Sequence, residues 1–165
     1  MKWLFLLMGL TLSFTGFSQH TIVSDAQKMG AYFVASDWEH YIDYSYPKIV
    51  KNLGGREKMK ASLQQQMQDL SLKGIQLLSI SFGEPSVILK EKRELQATLP
   101  QEIIYQTTQG KVQSRTTIIA VSTNEGASWY FIDPGGRSLE SLRISLPNLS
   151  KKLVLPPTPP VTKQN

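Results

Sequence analysis

The chain changes its hydrophobic rhythm once. Up to Gly74 the apolar residues recur every three or four positions, and beyond it they recur at every second. "SDAQ" at 24–27 has the form of a capping box, which predicts a helix from Asp25 to about Ala35. "SDWE" at 36–39 repeats the device through Ser36 and Glu39 and predicts a second helix to about Tyr44. Pro47 suits the first turn of a short segment ending at Leu53, and Gly54–Gly55 supplies a positive-φ stop. From Arg56 to about Leu72, Met59, Leu63, Met67 and Leu70 form one apolar stripe on the clearest helix of the chain, which Gly74 ends.

The period-two half reads as six strands, at 75–82, 86–90, 94–99, 102–108, 115–122 and 128–133. Gly83–Pro85, the neighbourhood of Pro100, Gln109–Gly110 and "NEG" at 124–126 carry the turn chemistry between them. Several strands are apolar on both faces. Trp129 and Phe131 point one way, Tyr130 and Ile132 the other. A half-solvated sheet would alternate more cleanly, so one face meets the helices and the other meets a second layer, a pocket or a partner. A short helix over Leu139–Leu142 follows the polar "PGGR" loop. The end, 156–165, is proline-rich and polar, which predicts an extended, mobile tail. Helices first and antiparallel strands afterwards define an α+β domain with its helices segregated to one side of a sheet.

The first 18 residues stand apart. Lys2, an apolar run from Trp3 to about Leu12, and the small residues Gly16 and Ser18 match a secretory signal peptide cut after Ser18. The run is too short to span a bilayer, which needs about 20 residues. The expected layout is therefore a leader over 1–18, one domain over 19–155 and a tail over 156–165. The expected location is periplasmic or secreted, with no stable membrane insertion after cleavage. The chain lacks cysteine, which excludes disulfides, thiolate chemistry and lipidation at a cleavage-site cysteine. At 165 residues, 41% apolar and 19% charged, it can rest on burial alone in a single domain. The net charge is +5, or +4 without Lys2, but it is scattered, as in "KEKRE" at 90–94, and no basic cluster interleaves with aromatics. No nucleic-acid partner is expected.

The densest candidate chemistry is "SDWEHYIDYSYPKIV" at 36–50. On a helical wheel Val34, Trp38, Tyr41 and Ile42 share one face, while Glu39, His40 and Asp43 lie opposite. His40 and Asp43 have the i, i+3 spacing of a base and its orienter, yet they sit away from the apolar face, where solvent is expected. His20 and His40 are the chain's two histidines and lack metal-ligand spacing, so no metal and no cofactor is expected. No G-x-S-x-G, phosphate loop or G-x-G-x-x-G is present.

The order of elements, the segment "SDWEHYIDYSYPKIV" followed by "GGREKM", and the late "AVSTNEGASWYFID" resemble the nuclear-transport-factor-2-like superfamily, also called SnoaL-like. The resemblance covers about 21–155. It implies a strongly curved antiparallel sheet forming a cone, with the N-terminal helices packed on it. It also implies an acid inside the cone, for which Asp133 at the end of the last strand is the best-placed candidate. Tyr41 and Tyr44 would border the mouth, and Tyr105, Trp129 and Phe131 would join them as ligand-binding residues. Two readings follow. The leading one is a non-enzymatic pocket or interaction module that binds a small apolar ligand or a protein partner, with a homodimer through the open sheet face as a further arrangement. The alternative is a small isomerase- or hydrolase-like enzyme with Asp133 or Asp43 as base and Tyr41 or Tyr105 as donor.

Overall fold

The computed structural model describes residues 15–163. The leader expected over 1–18 therefore lies mostly outside the described residues. The chain builds α1 (Thr15–Val34), α2 (Trp38–Asp43), α3 (Pro47–Asn52) and α4 (Arg56–Leu72). Then come β1 (Gln76–Phe82), β2 (Leu89–Glu91), β3 (Glu94–Thr107), β4 (Gly110–Ser122), β5 (Tyr130–Ile132), α5 (Leu139–Ser145) and β6 (Thr162–Lys163). All strand pairs are antiparallel, in the order β1-β3-β4-β5, with β2 beside β3 and β6 beside β4. The helices α1–α4 pack on this strongly curved sheet, which forms a half-barrel. This is the α+β class that the order of elements predicts.

The helix starts differ from their sequence signals. Ser24 does not cap α1, which already begins at Thr15 and runs through both residues of the supposed box. Asp25 is a long-range strut instead: its Oδ2 accepts the backbone N–H of Trp129 at 3.1 Å. Ile22, Ala26 and Met29, at helical spacing, bury against the sheet, and each large apolar side chain buried this way contributes roughly 1.5–3 kcal/mol. The second box is displaced by one residue. Ser36 takes a positive φ of 57° where α1 ends, and Asp37 caps α2 by accepting from the His40 N–H at 3.3 Å. Gly54 and Gly55 do adopt positive φ, at 91° and 99°, and they turn the chain into α4.

The larger correction concerns Pro100. The two strands read at 94–99 and 102–108 are one 14-residue strand, β3, paired with β4 from Leu95↔Ser122 to Thr107↔Gly110. A proline in a central strand ordinarily costs a ladder hydrogen bond. Here the Pro100 carbonyl accepts from Gly83 N–H, 3.0 Å away. A strand residue directs its N–H and C=O to the same side, so the missing donor faces the Gly83–Pro85 crossing, not β4. β1 and β2 flank the same edge of β3 on either side of that crossing. The β3–β4 ladder is thus untouched, and a bulge between Leu77 and Ser79 in β1 adds to the bend.

Both sheet faces are covered at one end, as the two-sided apolar strands imply. On the inner face, α1 covers Ala97, Leu99, Ile118, Ala120, Trp129 and Phe131. On the outer face, α5 and the segment after it cover Ile119, Val121 and Ile132 with Leu139, Leu142, Leu146, Leu149 and Leu153. Fully buried Gln96 pins this second layer. Its Nε2 donates to Glu94 Oε2 (3.0 Å) and Asn148 O (2.9 Å), while its Oε1 accepts Ser150 N–H (2.9 Å). The proline-rich end is extended, but Thr162–Lys163 returns to pair with Val112–Gln113 of β4.

Two substitutions test these assignments in urea denaturation. Pro100→Ala should change stability by less than about 1 kcal/mol, because no ladder donor is restored. Gln96→Leu should cost about 2–3 kcal/mol, because it strands the Ser150 N–H and the Asn148 carbonyl in the interior.

Candidate functional site

The β3–β4 hairpin continues past the α1 core, and there its inner face is not filled. A chamber of about 340 Å³ lies between the sheet and the helices. Ile80, Ile103, Ile118 and Phe131 form its floor, Met29 and Phe33 of α1 one side, and Met59 and Leu63 of α4 its roof. The α4 roof is fastened to α2 by charge. Arg56 Nη1 meets Asp43 Oδ1 at 2.7 Å, Arg56 Nη2 donates to Glu39 O at 2.8 Å, and Lys60 pairs with the Glu39 carboxylate. Lys60, then Arg56, holds that carboxylate below its usual range.

Where β5 ends, the chamber opens sideways. Ile103, Tyr105, Asp133, Gly135 and Arg137 line both the chamber and a broader groove of about 740 Å³ along the β4 edge, bordered by residues 153–158. β5 itself is held by the link between α2 and α3. Phe131 N–H donates to Tyr44 O at 2.7 Å, and Tyr46 N–H to Phe131 O at 3.0 Å. This link places Tyr41, one turn earlier, over the chamber.

Asp133 is exposed at this opening. Its Oδ1 accepts Gly135 N–H at 2.8 Å, which starts the turn and fixes the carboxylate. Its charge reaches two phenols that also line the chamber. Burial pushes the Tyr41 phenol well above its ordinary range, and Asp133 adds to the shift. Tyr105 is raised by the same two causes in the same order. Both hydroxyls stay protonated at neutral pH and serve as donors, and among the described residues the Asp133 carboxylate is the one acid group lining the chamber.

Of the aromatic residues singled out by sequence, Tyr41, Tyr105 and Phe131 meet in the chamber, together with Asp133. Trp129 and Tyr44 do not line it. Trp129 is 1% exposed in the α1 core, its Nε1 donating to Thr21 Oγ1 at 3.0 Å. Tyr44 stacks at a tilt on Tyr32, with centroids 6.0 Å apart. Asp43, the other candidate base, is outside, paired with Arg56. His40 is exposed, as its polar face implies, but it bonds Asp37 at 2.7 Å, not Asp43. A second acid–phenol pair is more buried: Tyr46 Oη donates to Glu94 Oε1 at 2.8 Å. It joins the Gln96 network on the outer face, and neither residue lines the chamber or the groove.

Sequence reasoning passed over Gln101. It is 7% exposed and lines the chamber, on the inner stripe of β3 between Leu99 and Ile103. The signal was one amide in the register Leu95, Ala97, Leu99, Gln101, Ile103, Tyr105. A strand broken at Pro100 hides that register. Among the described residues no cluster of three or more His, Asp or Glu side chains is arranged to hold a metal, and no helix is long and apolar enough to cross a membrane.

No family model matches the chain, and no curated protein does. Among solved structures, one of a protein from Catenulispora acidiphila aligns with a TM-score of 0.45 at 16% identity, covering 72% of this chain and 96% of that one.

The Asp133 charge is directly testable by alkaline ultraviolet titration of the tyrosines. Removing a negative charge eases phenol ionisation, so Asp133→Asn should lower the midpoints of Tyr41 and Tyr105. Tyr46, whose raised value comes from burial and Glu94, should not move.

Proposed function

We propose that the chamber is a small-molecule site of the acid–base type, in an exported protein with the cone architecture of the nuclear-transport-factor-2-like superfamily. The supporting observation is the convergence of one carboxylate and two raised phenols, Asp133, Tyr41 and Tyr105, on a single apolar cavity. The volume is at the lower end of the range for small-molecule pockets, and the walls are mostly aliphatic and aromatic, so the ligand has a compact apolar body. In the isomerase- or hydrolase-like reading, Asp133 takes a proton from a carbon next to a carbonyl, or from water. A phenol then donates a hydrogen bond to the oxygen on which charge develops. The phenols do not act as bases, because burial and the Asp133 charge both oppose their ionisation.

A pocket that binds without reacting is the second reading. It is favoured by the exposure of Asp133 and by the hold of Gly135 on its carboxylate. The two readings separate in deuterium exchange at the α-carbon of 1-tetralone in D₂O, followed by proton NMR. An acid–base site exchanges the α-protons at least about tenfold faster than buffer, and Asp133→Asn removes about 100-fold or more of the enzymatic rate. Ketone that binds but exchanges at the buffer rate leaves only the pocket.

A further inference from the structure

Gln101 presents a hydrogen-bonding problem that the protein itself does not solve. Its side chain is more than nine-tenths buried, in a stripe otherwise made of Leu, Ala, Ile and Tyr. A primary amide carries two N–H donors and an acceptor oxygen. The described residues supply one contact, a long one of 3.4 Å from Thr116 Oγ1 to Gln101 Oε1 on the neighbouring strand. Whichever way the amide is turned, that contact uses one end, and the other has no partner among the described residues. Ser45, 6% exposed and also lining the chamber, likewise has a hydroxyl without a described partner. Buried polar groups are normally paired, because an unpaired one costs about 1–3 kcal/mol.

We propose that the Gln101 amide is the recognition group for a neutral carbonyl oxygen on the ligand. Gln101 is then a specificity-determining residue of the chamber. The inference rests on the chamber being the ligand site proposed above, and it narrows the ligand to a compact ketone, ester or lactam. The charges argue for neutrality. Asp133 and Arg137 both stand where the chamber meets the groove, and the buried polar groups deeper in the chamber, Gln101 and Ser45, are uncharged. An anion seated in the chamber at Gln101 would lose its hydration there, because Arg137, the cation that lines the chamber, stands at its mouth. A carbonyl instead receives the N–H that the fold leaves over. A site built to hydrogen-bond one oxygen also discriminates against the analogue lacking it.

The probe is 2-adamantanone labelled with carbon-13 at the carbonyl. Its bridgehead α-protons do not enolise, so its binding is blind to proton transfer and independent of the exchange assay. On wild-type protein the bound carbonyl resonance should move downfield of its value in cyclohexane, as a hydrogen-bonded carbonyl does. In Gln101→Leu the resonance should move upfield toward the cyclohexane value, and affinity should fall about five- to tenfold. The same variant removes an unpaired buried amide from the free protein, so its thermal midpoint should rise by about 2–4 °C. A carbonyl resonance and affinity unchanged by Gln101→Leu overturn the proposal while leaving the chamber a ligand site. Absence of binding at millimolar ketone also overturns it. Neither outcome bears on Asp133, which the tetralone exchange reads separately.

Discussion

The structure depends on β3 passing through Pro100 without a break. A 14-residue strand paired along its length with β4 is long enough to serve two purposes. Its first half carries Ala97 and Leu99 into the α1 core, and its second half carries Gln101, Ile103 and Tyr105 beyond that core into the chamber. A turn at Pro100 would end the sheet where the core ends, and there would be no chamber wall. What permits continuity is local: the proline's missing N–H points at the irregular Gly83–Pro85 crossing, where no ladder bond exists to lose.

The two ends of the sheet treat polar groups in opposite ways. On the outer face Tyr46, Glu94, Gln96, Asn148 and Ser150 satisfy one another, with Arg143 donating to the Leu149 and Ser150 carbonyls. Such a closed network fixes the second layer and offers nothing to a ligand. The chamber instead collects groups with hydrogen-bonding capacity left over: an amide, two phenols and a carboxylate held by a single backbone N–H. Buried acid–phenol pairing alone does not mark a site. Tyr46–Glu94 is the tighter pair, yet the looser groups around Asp133 are the ones that face open space.

Much of this was readable in the residues. The change of period at Gly74 separates helices from strands, the Met59–Leu63–Met67–Leu70 stripe predicts α4, and the two-sided apolar strands predict a second layer. Those signals come from burial, which acts over whole elements. Single-residue signals fared worse where a tertiary contact competes. "SDAQ" has the letters of a cap, but Asp25 is recruited by Trp129 N–H and the helix continues through it. Ser36 loses the cap to Asp37 because it is needed at positive φ to end α1. Tyr41 and Phe131 were legible as inward-facing from wheel position and strand alternation, Asp133 lies at the end of the Phe131 strand on the same face, and Tyr105 and the acid's role came only with the family resemblance. Trp129 shares that inward face but lies nearer α1, a distinction of depth that periodicity does not encode. Gln101 was hidden because Pro100 reads as punctuation, and only the Gly83 partner reveals otherwise.

Backbone hydrogen exchange across 94–107, resolved by NMR, tests the unbroken strand most directly. With Thr98 and Pro100 facing Ser86 and Gly83, the N–H groups of Leu99 and Gln101 face β4. Both should then exchange as slowly as the Ile118–Val121 core of the partner strand. Fast exchange at Gln101, with protection resuming only beyond Ile103, would mean that the chain turns at Pro100, and the chamber wall would go with it.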